Sequence, residues 1–236
     1  MSLLTLVQDA ATLVGIEAPT AVASATDVTT AQLRVLAQQE GDELSRAFDW
    51  RRLKVQATIT GDGTTEYWDL PDDFDRQMAG DNLWLTSAPL IPLSGPVSDE
   101  EMLAMKSAPA RPIRPIWRYF GDQLQIWPYL TSTQSCSLEY RSSHWISSSD
   151  GDTVRARWQA DTDYALVPER IMTLGLIWRW KRAKGLDYSE EFNTYQLERT
   201  KAERADGGFR TLHAKELFSR DSLTGRKNMY SVVVTP

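Results

Sequence analysis

The stretch "LGLIWRWKRAKGLDYSEEF", residues 174–192, sets Trp178 and Trp180 two positions apart, each followed by a basic residue, ahead of a glycine and a Ser-Glu-Glu run. On a helix turning about 100° per residue the two indoles lie roughly 200° apart, on nearly opposite sides. Their neighbours divide accordingly. Ile171, Leu174 and Trp178 make one apolar stripe, Met172, Leu176 and Trp180 make another, and charge lies between them. One stripe suits the chain's own core. The second needs a further partner: the β-rich part, the N-terminal helices or another copy of the chain. Burial of both stripes within one subunit is the plain alternative, since fully buried helices are apolar all round. The cations between the stripes favour a subunit interface on Met172, Leu176 and Trp180.

Working outward, Pro168 suits the first turn of this helix and Gly185 the position just past its end. Arg179, Lys181, Arg182 and Lys184 complement the negative C-terminal end of its dipole. Ser189, Glu190 and Glu191 start a second helix that fades at "DGG", 206–208, which predicts a helical hairpin. At the other end of the chain Ser2 caps a helix to about Val14, stopped by Gly15. After a small-residue connection Asp27 caps a longer helix, with Leu33, Leu36, Ala37, Leu44, Ala47 and Phe48 at helical spacing, and "FDWRRL" at 48–53 ends it.

Between these helices the period changes to two. "VQATIT", "TEYWDL", "NLWL", "IWRYF", "QLQIWP" and "CSLEYRSSHWI" are rich in β-branched and aromatic residues, and "GDG" at 61 and "GDQ" at 121 read as hairpin turns. Ser98 followed by Glu101 is a capping box, so one short helix is inserted. The expected class is α+β: N- and C-terminal helices forming a helical bundle, a central antiparallel β domain and an extended C-terminal arm. The expected division is 1–53, 54–150, 151–208 and 209–236.

Composition narrows the function. Of 236 residues 42% are hydrophobic, enough for a packed core, and no apolar run approaches the roughly 20 residues of a membrane-spanning helix. A soluble, intracellularly made protein without membrane contact is expected. Cys136 is the only cysteine, so no internal disulfide or multi-cysteine zinc site can form. No metal or cofactor is expected. The net charge of −6 is unevenly spread: residues 53–165 hold 16 acidic and 9 basic side chains, while 206–236 hold 3 and 5. So acidic a middle repels phosphate and disfavours tight nucleic-acid binding. A nucleic-acid module would rest on the pairs Trp117-Arg118 and Trp178-Arg179, whose rings could stack on bases. An enzyme would rest on "DLPDDFD", where Asp69, Asp72, Asp73 and Asp75 crowd together, but Pro71 and Phe74 sit wrongly for a calcium loop and a solvated turn is the simpler reading. Neither a GxSxG, an HExxH nor a Walker loop occurs, and no catalytic residue is assigned.

The segment "LVPERIMTLGLIWRWKRAKGLDYSEEFNTYQ" resembles the most recurrent part of tailed-phage adaptor proteins, the head-to-tail connector subunits that dock beneath the portal. "LTLVQDAATLVGIEAPTAV" with "QLRVLAQQEGDELSRAFDWRRL" is similar to their opening, and "YWDLPDDFDR" matches their Leu-Pro-x-x-Phe element. The resemblance implies a structural virion protein at the head–tail junction, assembled in the host cytoplasm as a homo-oligomeric ring, commonly a dodecamer. Its partners would be further copies of itself, the portal, a downstream tail or nozzle protein, and double-stranded DNA in passage only. Residues 209–236 combine few apolar anchors with five basic residues and a β-branched end. They are expected to order on assembly, with Phe209, Leu212, Leu217, Phe218 and Tyr230 against the portal and Val232, Val233 and Val234 adding a strand to a sheet edge.

Overall fold

Side-chain caps fix where the first helices start. The computed structural model describes residues 1–78, 81–86, 91–109 and 112–207. Ser2 accepts a hydrogen bond from the Thr5 amide and opens α1, Leu3–Leu13. Asp27 accepts from the Thr30 amide at 2.8 Å and opens α2, Val28–Ala47. Each cap satisfies an amide that has no partner inside the helix. Phe48 ends α2 in extended backbone, and a single 3₁₀ turn, Arg51–Leu53, redirects the chain into the strands.

The strands follow as β1 (Lys54–Thr60), β2 (Tyr67–Asp69), β3 (Phe74–Arg76) and β4 (Trp84–Leu85). After α3 (Asp99–Ser107), capped by the Ser98–Glu101 box, come β5 (Ile116–Phe120), β6 (Gln123–Trp127), β7 (Ser135–Ser142), β8 (Ile146–Ser147), β9 (Val154–Arg155) and β10 (Tyr164–Ala165). Two helices close the described chain: α4 (Glu169–Ala183) and α5 (Ser189–Gly207). Among the described residues the class is therefore α+β, with five helices and antiparallel sheets.

The sheets are assembled mostly at long range. β1 pairs along its whole length with β7, Lys54 opposite Arg141 and Thr60 opposite Ser135. β3 and β4 pair with β7 from its other edge. β6 lies between β2 and β5, and β8 between β9 and β10. The "GDQ" turn behaves as expected: Gly121, at φ +60°, closes the β5–β6 hairpin. The "GDG" turn does not close one. The Gly61 amide donates to Gln134 O at 2.9 Å, and β2 joins β6 instead of folding back on β1. Period-two pattern marks a strand but carries no label for its partner. "CSLEYRSSHWI" is likewise two strands, broken at Ser143, and "DLPDDFD" ends in β3, which turn chemistry alone concealed.

Two hydrophobic clusters organise the interior. The β cluster gathers Leu83, Leu85, Trp117, Leu124, Ile126 and Leu138. The helical cluster gathers side chains of α1, α2, α4 and α5 together with Trp50, Trp145 and Ile146. Trp145, 1% exposed, lies across Gly41 in the middle of α2, where any Cβ would overlap three ring carbons. Its Nε1 donates to Asp42 at 2.9 Å and its ring meets Trp158 edge-on at 5.3 Å.

Candidate functional site

The tryptophan helix is the obvious place to look for a working surface, and its surroundings are supplied by the chain itself. α4 contacts α1, α2 and α5. Met172, Leu176 and Trp180 are 1%, 0% and 4% exposed, and Trp178 on the other stripe is 6% exposed. Trp178 packs into an aromatic set on α5, with Phe192 at 5.1 Å, Tyr195 at 5.9 Å and Tyr188 just before the helix at 6.1 Å. The expected subunit interface on Met172, Leu176 and Trp180 thus gives way to the plain alternative. The N-terminal helices and α5 cover both sides, leaving these three side chains no surface for a second copy.

Arg179, Lys181 and Lys184 are answered inside the chain as well. Arg179 donates from Nε to Glu40 at 2.6 Å and from NH2 to Glu43 at 2.5 Å, while its guanidinium lies 4.6 Å from the Trp178 ring. Lys181 pairs with Glu191 of α5. Lys184 Nζ donates to Gln32 at 2.9 Å and sits 4.4 Å over the Trp180 ring. Glu40 is fully buried on α2 and lies directly over Gly175, where α4 has no side chain to hold it off. Burial pushes the Glu40 carboxyl up, and Arg179 opposes this. Burial also pushes the Tyr195 phenol up, with the neighbouring Glu40 charge adding to it. The result is a buried polar joint among α2, α4 and α5, of the kind that fixes one arrangement of packed helices more than it adds net stability.

A second joint connects the helices to the sheets. Arg141 of β7, 1% exposed, pairs with Asp75 of β3, donates to Phe48 O at 3.2 Å and lies 3.8 Å from Asp49. Arg76 reaches the same Asp49 at 2.6 Å. The carboxylates of "DLPDDFD" are thereby drawn apart. Asp69 accepts from Gln123 at 2.7 Å, Asp73 from Tyr140 at 2.6 Å, Asp75 serves Arg141, and Asp72 faces solvent. No group of three or more His, Cys, Asp or Glu among the described residues could hold a metal ion.

The candidate stacking pairs are occupied too. Trp117 is wholly buried and donates to Asn82 at 3.1 Å, and Arg118 donates to Gln125 at 2.7 Å and to Asp99 at 2.5 Å. With Trp178 and Arg179 already committed, neither pair presents a ring to a base. Cys136 is buried in β7, and its thiol is pushed up to about 12 by burial, far from nucleophilic range. None of the described helices is long and apolar enough to cross a membrane.

Sequence reasoning missed both polar joints. The available signal for the first was Gly175 in the middle of α4, since an interior helical glycine marks close approach. The second joins residues 48, 49, 75, 76 and 141, and no local pattern connects them. The expected arm contacts Phe209, Leu212, Leu217, Phe218, Tyr230, Val232, Val233 and Val234 lie outside the described residues.

Comparison with known proteins adds one finding. None of the curated proteins matches the chain. A family model described as SU10 adaptor protein matches residues 1–229, nearly the whole length. The chain belongs to that family, in agreement with its resemblance to tailed-phage adaptors.

Proposed function

We propose that this member of the SU10 adaptor family is a structural virion protein whose copies form a ring beneath the portal and join the capsid to the tail, with double-stranded DNA passing through the channel. The family match over residues 1–229 carries the reading. The work is mechanical. Two polar joints, Glu40–Arg179 and Arg141–Asp75, hold helices and sheets in one relative arrangement, which suits a part that transmits load. The acidic excess of residues 53–165 suits a wall along which the genome slides without sticking. The ring is taken to hold twelve copies, the portal-facing contacts are the arm residues Phe209, Leu212, Leu217, Phe218 and Tyr230, and a tail or nozzle protein docks at the opposite end. The protein assembles in the host cytoplasm and resides at the head–tail junction.

Mass photometry of the purified chain, alone and with its portal, tests this. The reading expects a portal complex heavier by several copies of the 26.7 kDa chain. A chain that never associates with portal, or that instead forms a submicromolar complex with duplex DNA at physiological salt, overturns it.

A further inference from the structure

We propose that the open edge of β1 accepts, as an added strand, residues 231–235 of a neighbouring copy of the chain. The inference rests on the ring reading and goes beyond it by naming the surface that receives the arm.

β1 is a seven-residue strand that, among the described residues, is hydrogen-bonded on one edge only. Its register with β7 accounts for one side, and apart from the Lys54 amide, which donates to Arg51 O in the preceding 3₁₀ turn, no other backbone hydrogen bond involves residues 54–60 among the described residues. Natural sheets blunt such edges with proline, bulges, inward charges or a covering segment. β1 has no proline and pairs with β7 without a register shift, and its single charge, Lys54, is already engaged by Asp81 and Glu139. Gln56, Thr58 and Thr60 are exposed on one face, whereas Ala57 and Ile59 lean on the β cluster from the other. A covering strand is the device left.

The chain itself says what covers it. Asp206, at the end of α5, accepts from the Arg51 amide at 2.8 Å, so the chain leaves α5 close to the start of β1. Residues 208–236 carry five basic and two acidic side chains, opposite in sign to the acidic excess of 53–165. Their only β-branched run is Val232, Val233 and Val234, which alternates across a strand so that one face extends the Ala57–Ile59 side. Pairing on the same subunit needs a connection of only a few residues. Here 23 residues, 208–230, precede the segment, an extended reach of about 75 Å, which suits a span to the next copy. Main-chain bonds to the edge then supply affinity, and the alternating valines supply register.

Disulfide trapping in the assembled portal complex decides the matter with the full-length chain. Cys136 can stay, because burial keeps its thiol unreactive. Complexes are formed from equal amounts of a Thr58→Cys chain and a chain carrying Val232→Cys, Val233→Cys or Val234→Cys, and are exposed to mild oxidant after their mass is checked. A paired strand puts alternate positions on one face, so cross-linked dimer should form either at 232 and 234 or at 233, with about fivefold preference over the other class. Equal yields at all three positions, no dimer in a complex of full mass, or cross-linking only within a chain carrying both cysteines would each overturn the pairing. Failure of any complex to form would overturn the ring reading and the pairing with it.

Discussion

Replacing Gly41 by alanine should destabilise the chain, although helix propensity taken alone says the reverse. In an open helix interior the change is worth about 1 kcal/mol of stabilisation. Here the new methyl would occupy space already filled by Cη2, Cζ2 and Cζ3 of Trp145. The ring has nowhere to go. It is 1% exposed, stacked edge-on against Trp158, and tied through Nε1 to Asp42. Moving it forfeits an edge contact worth about 0.5–1.5 kcal/mol and a hydrogen bond to a carboxylate worth about 1.5–3 kcal/mol. Staying put costs about 1–3 kcal/mol of overpacking. Net of the roughly 1 kcal/mol gained in helix propensity, the two routes centre on a loss of about 1–2 kcal/mol, or about 2–8 °C in thermal midpoint for a chain of this size. Urea unfolding followed by far-ultraviolet circular dichroism measures it. The double variant Gly41→Ala with Trp145→Phe should fall short of the sum of its parts, because the smaller ring frees the space. A Gly41→Ala chain as stable as the parent or more so would refute the close approach on which the helical core is built.

Trp178→Ala and Trp180→Ala should each cost the free chain about 3–5 kcal/mol in urea unfolding, since both rings are core; an unchanged midpoint for either would restore that face to the surface. Arg141→Met should cost about 3 kcal/mol by removing the buried partner of Asp75, and adding Asp75→Asn should recover part of the loss; two losses that simply add would mean the joint is not coupled. The Asp27 carboxyl is held below its usual 3.8 by the backbone and side-chain hydrogen bonds of Thr30. Its contribution is therefore present above about pH 3.8 and is lost as pH falls through the lower folded value. Asp27→Ala should accordingly lower the thermal midpoint more at pH 7 than at pH 2, and an equal difference at both would deny the cap.

What the sequence made legible follows the range of the interaction. Ser2, Asp27 and the Ser98–Glu101 box could be read because a cap is settled within three residues, and Gly121 because a hairpin turn is equally local. The two stripes of α4 were legible in direction, since helical geometry fixes which residues share a side. What covers them was not. Whether α1, α2, α5 or another copy packs on Trp180 depends on the path of the whole chain, α1 and α2 lying more than 100 residues away. β1 shows the same limit. Its alternation marked a strand, yet its partner β7 lies some 80 residues on, and the nearer "GDG" turn pointed to the wrong one. The carboxylates of "DLPDDFD" looked like one site in sequence and were distributed to Gln123 on β6 and to Tyr140 and Arg141 on β7 by two separate strand pairings.

Electron microscopy of the portal incubated with this chain addresses the functional reading most directly. The account predicts added density at the tail-facing end of the portal, in a closed ring of repeated subunits around an open axial channel wide enough for duplex DNA. Portal particles that remain bare at saturating chain, or that carry single copies scattered without rotational order, would contradict it.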